Sequence, residues 1–395
     1  MNKFKRVFMI VTDGLGIGPD RDQKAFGDSG ANTIRSASMA DEFHIDTWKK
    51  LGIGNITNLN GNYHVKKPLA YMAKIQEVSN AKDTLAGHWE MMGIKTLVPF
   101  PTFAENGFPE ELIQALSEAF DGRKIVGNKA SSGTEIIDEL WQEEKDNGAI
   151  IVYTSNDSVL QICAHEEWTG LDNLYRYAKA AREICSSKPE WNVGRIIARP
   201  YLGEAGNFVR TFNRHDYANK PAENILNKLQ AKGVKVIGVG KINDIFVGQG
   251  IDVSYKSEGD EDGMDITIEL AQQDTENQLV FTNLVQFDSH YGHRRNVHGY
   301  AENIAKLDVK LGKLINVMRE DDLLIITSDH GNDPLYPGFN HTREFLPATI
   351  YSPSFTNPKV LPNFEGLGTL GNIIAKNFGC DLVLETGDDV FDTLI

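Results

Sequence analysis

Apolar runs punctuate this chain, and several of them end on an acidic or imidazole side chain. Val7-Phe8-Met9-Ile10-Val11-Thr12 leads into Asp13-Gly14, and Leu279 to Phe287 leads into Asp288. Leu323-Leu324-Ile325-Ile326-Thr327 leads into Ser328-Asp329-His330. Short continuous apolar runs predict strands buried on both faces. Further strands are expected at Ala149 to Thr154, Arg195 to Ala198 and Val234 to Val239. Helical spacing of apolar positions is expected over Asp46 to Gly52, from about Thr84, and over Glu110 to Phe120. The same holds for Asn173 to Ser186, Ala222 to Ala231 and Asn303 to Glu320. The alternation predicts an α/β protein with a mostly parallel sheet flanked by helices. Near Phe100 the texture changes, with Pro101, Gly107 and Pro109 punctuating a loop, and Gly127 to Glu135 reads as a loop of small and polar residues. No internal repeat is visible.

At 395 residues the chain is long enough for two domains. The formal net charge of −15 argues against a nucleic-acid partner, although it says nothing about one local pocket. Cys163, Cys185 and Cys380 match no zinc spacing, and such a sparse set fits small buried apolar residues in a reducing compartment. Lys3, Lys5 and Arg6 precede the first apolar run, but that run meets Asp13 too soon for an export signal. Nothing approaches the roughly 18 apolar residues of a membrane span. A soluble cytoplasmic protein with no membrane, nucleic-acid or obligate protein partner is expected.

The chemistry lies at the strand ends. In open α/β sheets ligands bind beyond the carboxyl ends of the strands. Asp13, the string Asp288-Ser289-His290-Tyr291-Gly292-His293, Asp329-His330, and His341 beyond them offer three carboxylates and three imidazoles. Such a mixture suits two divalent cations, with Mn²⁺ or Zn²⁺ favoured over Ca²⁺ by the imidazoles. Two ions about 4 Å apart can clamp a phosphoryl group. Taken singly, each residue has a plainer reading: Asp13-Gly14 as a turn, Asp288 as a helix cap, His341 as a loop histidine, His290 and His298 as solvated side chains. Three independent strand ends decorated alike make the plain readings hard to sustain together. Thr84 read alone is a helix-start hydroxyl; beside metals it becomes a candidate nucleophile, because a threonine hydroxyl needs a metal or a positive helix end to lower its pKa.

The strings Val11-Thr12-Asp13-Gly14, Asp83-Thr84-Leu85-Ala86-Gly87-His88-Trp89-Glu90, Asp288 to His293, Ser328 to Pro334 and Pro337 to Glu344 occur in this order. In these strings, and over essentially its full length, the chain resembles the bacterial phosphopentomutases of the alkaline phosphatase superfamily. The Asp83-to-Glu90 string is the narrowest part of that resemblance; the metal strings alone specify only the superfamily. The resemblance implies an alkaline-phosphatase-like core of residues 1–100 and 218–395, with an inserted α/β cap of residues 101–217 lying over the site as a lid. It implies that Asp329 and His330 bind one ion with Asp13 and the nucleophile, and that Asp288, His293 and His341 bind the other. Thr84 would be transiently phosphorylated. In the cap, Arg195 and Arg210 would clamp the non-reacting phosphate and Ser155 and Asp157 would meet the sugar. Arg199 and Arg214 add to this local positive charge, and guanidinium forks suit phosphate oxygens. The implied reaction interconverts ribose 1-phosphate and ribose 5-phosphate, and the deoxyribose pair, with Mn²⁺ as metal and glucose 1,6-bisphosphate as primer. Ala130, where the family often has proline, and Phe339 depart from its pattern at positions without ligand atoms. The rival readings are a phosphatase, phosphodiesterase or phosphoglycerate mutase of the same superfamily, and a non-catalytic sugar-phosphate binding protein.

Overall fold

A computed structural model describes residues 3–155 and 157–395; Asn156, within the Ser155-Asn156-Asp157-Ser158 string, lies outside the described residues. The chain divides into two compact units, one made of the chain up to Val98 with Pro221–Ile395, the other of Pro99–Lys220.

The first unit is built on an eight-stranded sheet. Its order is Val253–Tyr255, Lys235–Val239, Gln278–Leu284, Arg6–Thr12, Asp322–Thr327, Leu346–Tyr351, Tyr71–Gln76 and Phe364–Glu365. The first five are mutually parallel. Leu346–Tyr351 is antiparallel to both neighbours, and Phe364–Glu365 runs parallel to Tyr71–Gln76. The three central strands are buried at every residue, in keeping with the apolar runs at their centres. Phe8, Ile10, Val280, Leu324 and Ile326 form one core face with Ile304, Leu307 and Leu311 of the long helix Val297–Val317. The mostly parallel α/β sheet expected from the alternation of runs is present. The third strand is shorter than its apolar run. It ends at Leu284, and Phe287–Gly292 instead forms a wide π-type helical turn.

The second unit carries its own sheet, Ile125–Ala130, Ile150–Thr154, Val159–His165, Arg195–Leu202 and Val209–Arg210 in that order, with His215–Ala218 also pairing with Arg195–Leu202. Alternation along one strand divides two cores. Ile150 and Val152 pack with Leu112, Leu116 and Leu174 from two helices, whereas Ile151 and Tyr153 pack with Ile136 and Ile137 of the helix Gly133–Asn147. The expected Gly127–Glu135 loop is thus the end of a strand, a two-residue link and a helix start; a register irregularity between Gly127 and Ala130, with Asn128 at φ +40°, disguised the strand. Among the described residues no helix is long and apolar enough to cross a membrane.

Candidate metal centre

Strand register sets the site. Thr12 pairs with Leu284, and Val11 with Thr327, so three parallel strands finish at one edge. Asp13, Asp288 and Asp329 each follow one of these ends. The π-type turn is closed by His293 N–H donating to the Asp288 carbonyl at 2.9 Å, which brings both residues to one side of the turn. Asp13, Asp329 and His330 offer ligand atoms that lie within 4.8 Å of one another, and so do Asp288, His330 and His341. His293 Nε2 is 3.2 Å from Asp288 Oδ2 and 3.0 Å from His341 Nε2. The six residues are therefore brought together, with His330 between the two groups, its ring stacked on that of His341 at 3.8 Å.

The imidazoles are held in one tautomer. His341 Nδ1 donates to the Lys82 carbonyl at 2.8 Å, His293 Nδ1 to that of Phe339 at 2.8 Å, and His330 Nδ1 to that of Gly331 at 3.1 Å. With each Nδ1 proton so placed, the Nε2 lone pairs face inward. Two acceptor nitrogens 3.0 Å apart repel unless a proton or a cation lies between them. Asp329 Oδ2 is buried without an aligned hydrogen bond among the described residues, although His88 Nδ1 is 3.2 Å away. Burial raises the Asp13 carboxyl, and the neighbouring Asp329 adds to this. Burial opposes the charged form of His330, but the Asp329 and Asp13 carboxylates outweigh it and push its pKa well above the ordinary value. Burial would likewise raise Asp288, yet the His341 and His293 imidazoles hold it well below the usual range. Three enclosed carboxylates and converging lone pairs fit divalent cations, which would displace the His330 proton.

Thr84 is the first residue of the helix Thr84–Met91, capped by Asp83, whose side chain accepts from Ala86 N–H at 3.1 Å. Thr84 Oγ1 lies 3.2 Å from His330 Nε2 and 3.4 Å from Asp13 Oδ1. Gly87 permits this proximity, since a Cβ there would meet the Asp329 carbonyl oxygen at 2.2 Å. Three positioning side chains escaped the sequence reading. Asn283 donates to Asp13 Oδ2 at 2.8 Å, and Asn332 donates to Asp288 Oδ1 at 2.7 Å. Buried His88 sits between the Thr84 carbonyl, at 2.9 Å, and Asp329. A polar Asn283 near the carboxyl end of a strand buried at every residue was the available signal.

The remaining candidates lie in the second unit. Ser155 follows the strand Ile150–Thr154, and Asp157 N–H donates to its Oγ at 3.4 Å. Arg195 opens its strand with Nη1 3.8 Å from Asp216, while Arg210 pairs in register with Tyr201 at the other end.

The metalloenzyme superfamily profile matches residues 5–382. The chain is 59% identical over 394 residues to the phosphopentomutase of Mycoplasmopsis pulmonis, covering 100% of each. It is 51% identical to that of Clostridium tetani and 50% to that of Clostridium beijerinckii, again over 100% of each chain. With full-length identity of this order joined to a buried cluster of metal-ligand side chains, the chain belongs to the phosphopentomutase family.

Proposed function

We propose that this isomerase interconverts ribose 1-phosphate with ribose 5-phosphate, and the 2-deoxyribose pair, through a phosphorylated Thr84 and a pentose bisphosphate. Family membership supports the substrate class. The observation that carries the mechanism is the position of Thr84 Oγ1, at a helix start and within 3.4 Å of both His330 Nε2 and Asp13 Oδ1. Asp13, Asp329, His330 and Thr84 would hold one divalent cation and Asp288, His293 and His341 a second, most readily Mn²⁺. When bound, such ions supply positive charge to the phosphoryl oxygens and lower the pKa of the Thr84 hydroxyl.

The chain's own groups do the rest. Thr84 Oγ1 carries the phosphoryl group, primed from a sugar bisphosphate such as glucose 1,6-bisphosphate. The free hydroxyl of the substrate attacks phosphorus and loses its proton as the bond to Thr84 breaks, giving a bisphosphate. After the bisphosphate turns over, Thr84 Oγ1 accepts the other phosphoryl group and releases the isomer. Asn283 fixes Asp13, and His88 ties the nucleophile's carbonyl to the neighbourhood of Asp329. Arg195 and Arg210 are assigned to the non-reacting phosphate, and Ser155 and Asp157 to the sugar. The domain roles follow, with a catalytic core of residues 1–100 and 218–395 and a substrate-binding cap of residues 101–217. The buried, unpaired cysteines fit a cytoplasmic setting.

Thr84→Ala tests the mechanism. The variant should bind metal, lose mutase turnover, and acquire no acid-stable phosphothreonine from labelled glucose 1,6-bisphosphate, whereas the parent protein should. Normal turnover by the variant would refute the scheme, and release of inorganic phosphate by the parent in place of isomer would mark a phosphatase.

A further inference from the structure

In the first unit, one arginine outside the ligand set joins the two stretches of chain that carry Asp288, His293 and His341. Arg295 follows His293 by two residues and has φ +52°. That left-handed backbone suits glycine and strains a residue with a β-carbon, so an arginine held there calls for a reason. Its guanidinium supplies one. Nη1 donates to the Gly292 carbonyl at 3.1 Å, on its own turn, and to the Asp333 carbonyl at 2.8 Å. Nε donates to the Gly338 carbonyl at 2.5 Å, and Nη2 to that of Asn340, the residue before His341, at 3.3 Å. Pro337, Gly338, Phe339 and Asn340 are all exposed, so burial does little to fix this segment. It nevertheless leads straight into His341, and its Phe339 carbonyl accepts the His293 Nδ1 proton at 2.8 Å. A drift of the segment would move His341 and free the His293 ring together.

The same guanidinium acts on Asp288. Nη1 donates to Asn332 Oδ1 at 2.7 Å. A guanidinium has donors only, so the end of the Asn332 amide that it meets is the oxygen, and Nδ2 is left to donate to Asp288 Oδ1 at 2.7 Å. Gly292 leaves room for this, since a Cβ there would lie 2.7 Å from Asn332 Cγ.

We propose that Arg295 is a positioning residue for the second cation: its planar fork sets the mutual placement of Asp288, His293 and His341, and through it the affinity of that ion. The first ion is left to Asp13, Asp329 and His330. The division of ligands between two ions rests on the proposed function; the contacts of Arg295 do not.

Arg295→Lys keeps the charge and most of the stem but loses the fork, and Arg295→Gly removes both the side chain and the backbone strain. Mn²⁺ titrated calorimetrically into metal-free protein should show, in both variants, one ion weakened about 10–100-fold and the other within about twofold, the loss usual for an outer partner of a metal ligand. The thermal midpoint of the metal-free protein should stay close to that of the parent, whereas its rise on adding Mn²⁺ should shrink. Parent affinity for both ions in Arg295→Lys overturns the proposal, because charge alone would then suffice. Equal weakening of both ions with a lower metal-free midpoint also overturns it, since that is the mark of a general structural role. If the glycine variant does not fold, the lysine variant decides alone. Fewer than two ions bound by the parent would refute the ligand division of the proposed function, while the comparison of variant with parent would still decide whether Arg295 governs ion affinity.

Discussion

Arg343→Met removes a guanidinium that is 2% exposed and joined to several chain segments at once. Nη1 donates to Glu77 Oε2 at 2.7 Å, to the Ala81 carbonyl at 2.9 Å and to the Ser79 carbonyl at 3.1 Å. Nε and Nη2 reach Asp22 at 3.0 Å. Methionine keeps most of the apolar stem but leaves the Glu77 carboxylate, itself 2% exposed, without its counter-charge. Breaking one side of a buried ion pair costs about 3–5 kcal/mol. At about 2 °C per kcal/mol for a unit of this size, the first unit's melting temperature should fall by roughly 8 °C. The loss should depend on pH. Burial raises the Glu77 carboxyl well above its ordinary value even with Arg343 beside it, and without Arg343 it rises further. A carboxyl whose folded pKa is raised contributes stability that is present below the unfolded value and is lost as pH rises through the folded value. The Arg343→Met protein should therefore be weakest at alkaline pH and recover toward pH 5. A second substitution, Glu77→Gln, should remove that slope. Urea and thermal unfolding followed by tryptophan fluorescence would measure both. A fall below about 2 °C, or a deficit that does not change with pH, would refute the assignment of the cost to the stranded carboxylate.

Two further outcomes are expected. His341→Ala should lower bound metal from about two ions to about one per chain by elemental analysis; retention of both ions would remove His341 from the ligand set. Asp260 accepts from Gln286 N–H at 3.0 Å and Asn303 Nδ2 at 2.7 Å, and burial raises its pKa from 3.8 to about 6. Its contribution is thus full below about pH 4 and lost by about pH 6, amounting to about 3 kcal/mol. Asp260→Asn should flatten the decline of melting temperature across that window, and an unchanged slope would place the proton elsewhere.

What could be read from the sequence was local. An apolar run that ends on Asp13 or Asp329 announces both a buried strand and a group at its carboxyl end, because one stretch of chain carries both signals. Leu346–Tyr351 gave no such notice, since Pro347 argues against an interior strand. The fold accommodates it because pairing with Asp322–Thr327 begins only at Thr349, so Pro347 has a paired neighbour on one side alone. The run from Leu279 overestimated its strand because apolar character continues into the π-type turn, where Phe287 stays in the core. Asn283, Asn332 and His88 are ordinary polar residues in isolation. Their roles arise from contacts such as Asn283 to Asp13, which only the assembled sheet creates.

Those long-range contacts also explain why Thr84 and the clustered histidines form one arrangement rather than two adjacent ones. The carbonyl that fixes the His341 tautomer belongs to Lys82, two residues before Thr84. The segment that leads to Thr84 is held by Arg343, two residues after His341, through the Ser79 and Ala81 carbonyls. On its other side, Glu90 of the Thr84 helix accepts from the Ser79 N–H at 2.6 Å and the Leu367 N–H at 2.8 Å. The loop carrying Thr84 is therefore clamped from both the histidine loop and its own helix. A shift of that loop moves Thr84 Oγ1 and releases the Nδ1 proton of His341 together. Reciprocal fixing of this kind positions the Thr84 hydroxyl through its backbone, so that the 3.2 Å and 3.4 Å approaches of Oγ1 to His330 Nε2 and Asp13 Oδ1 are set by the two loops together.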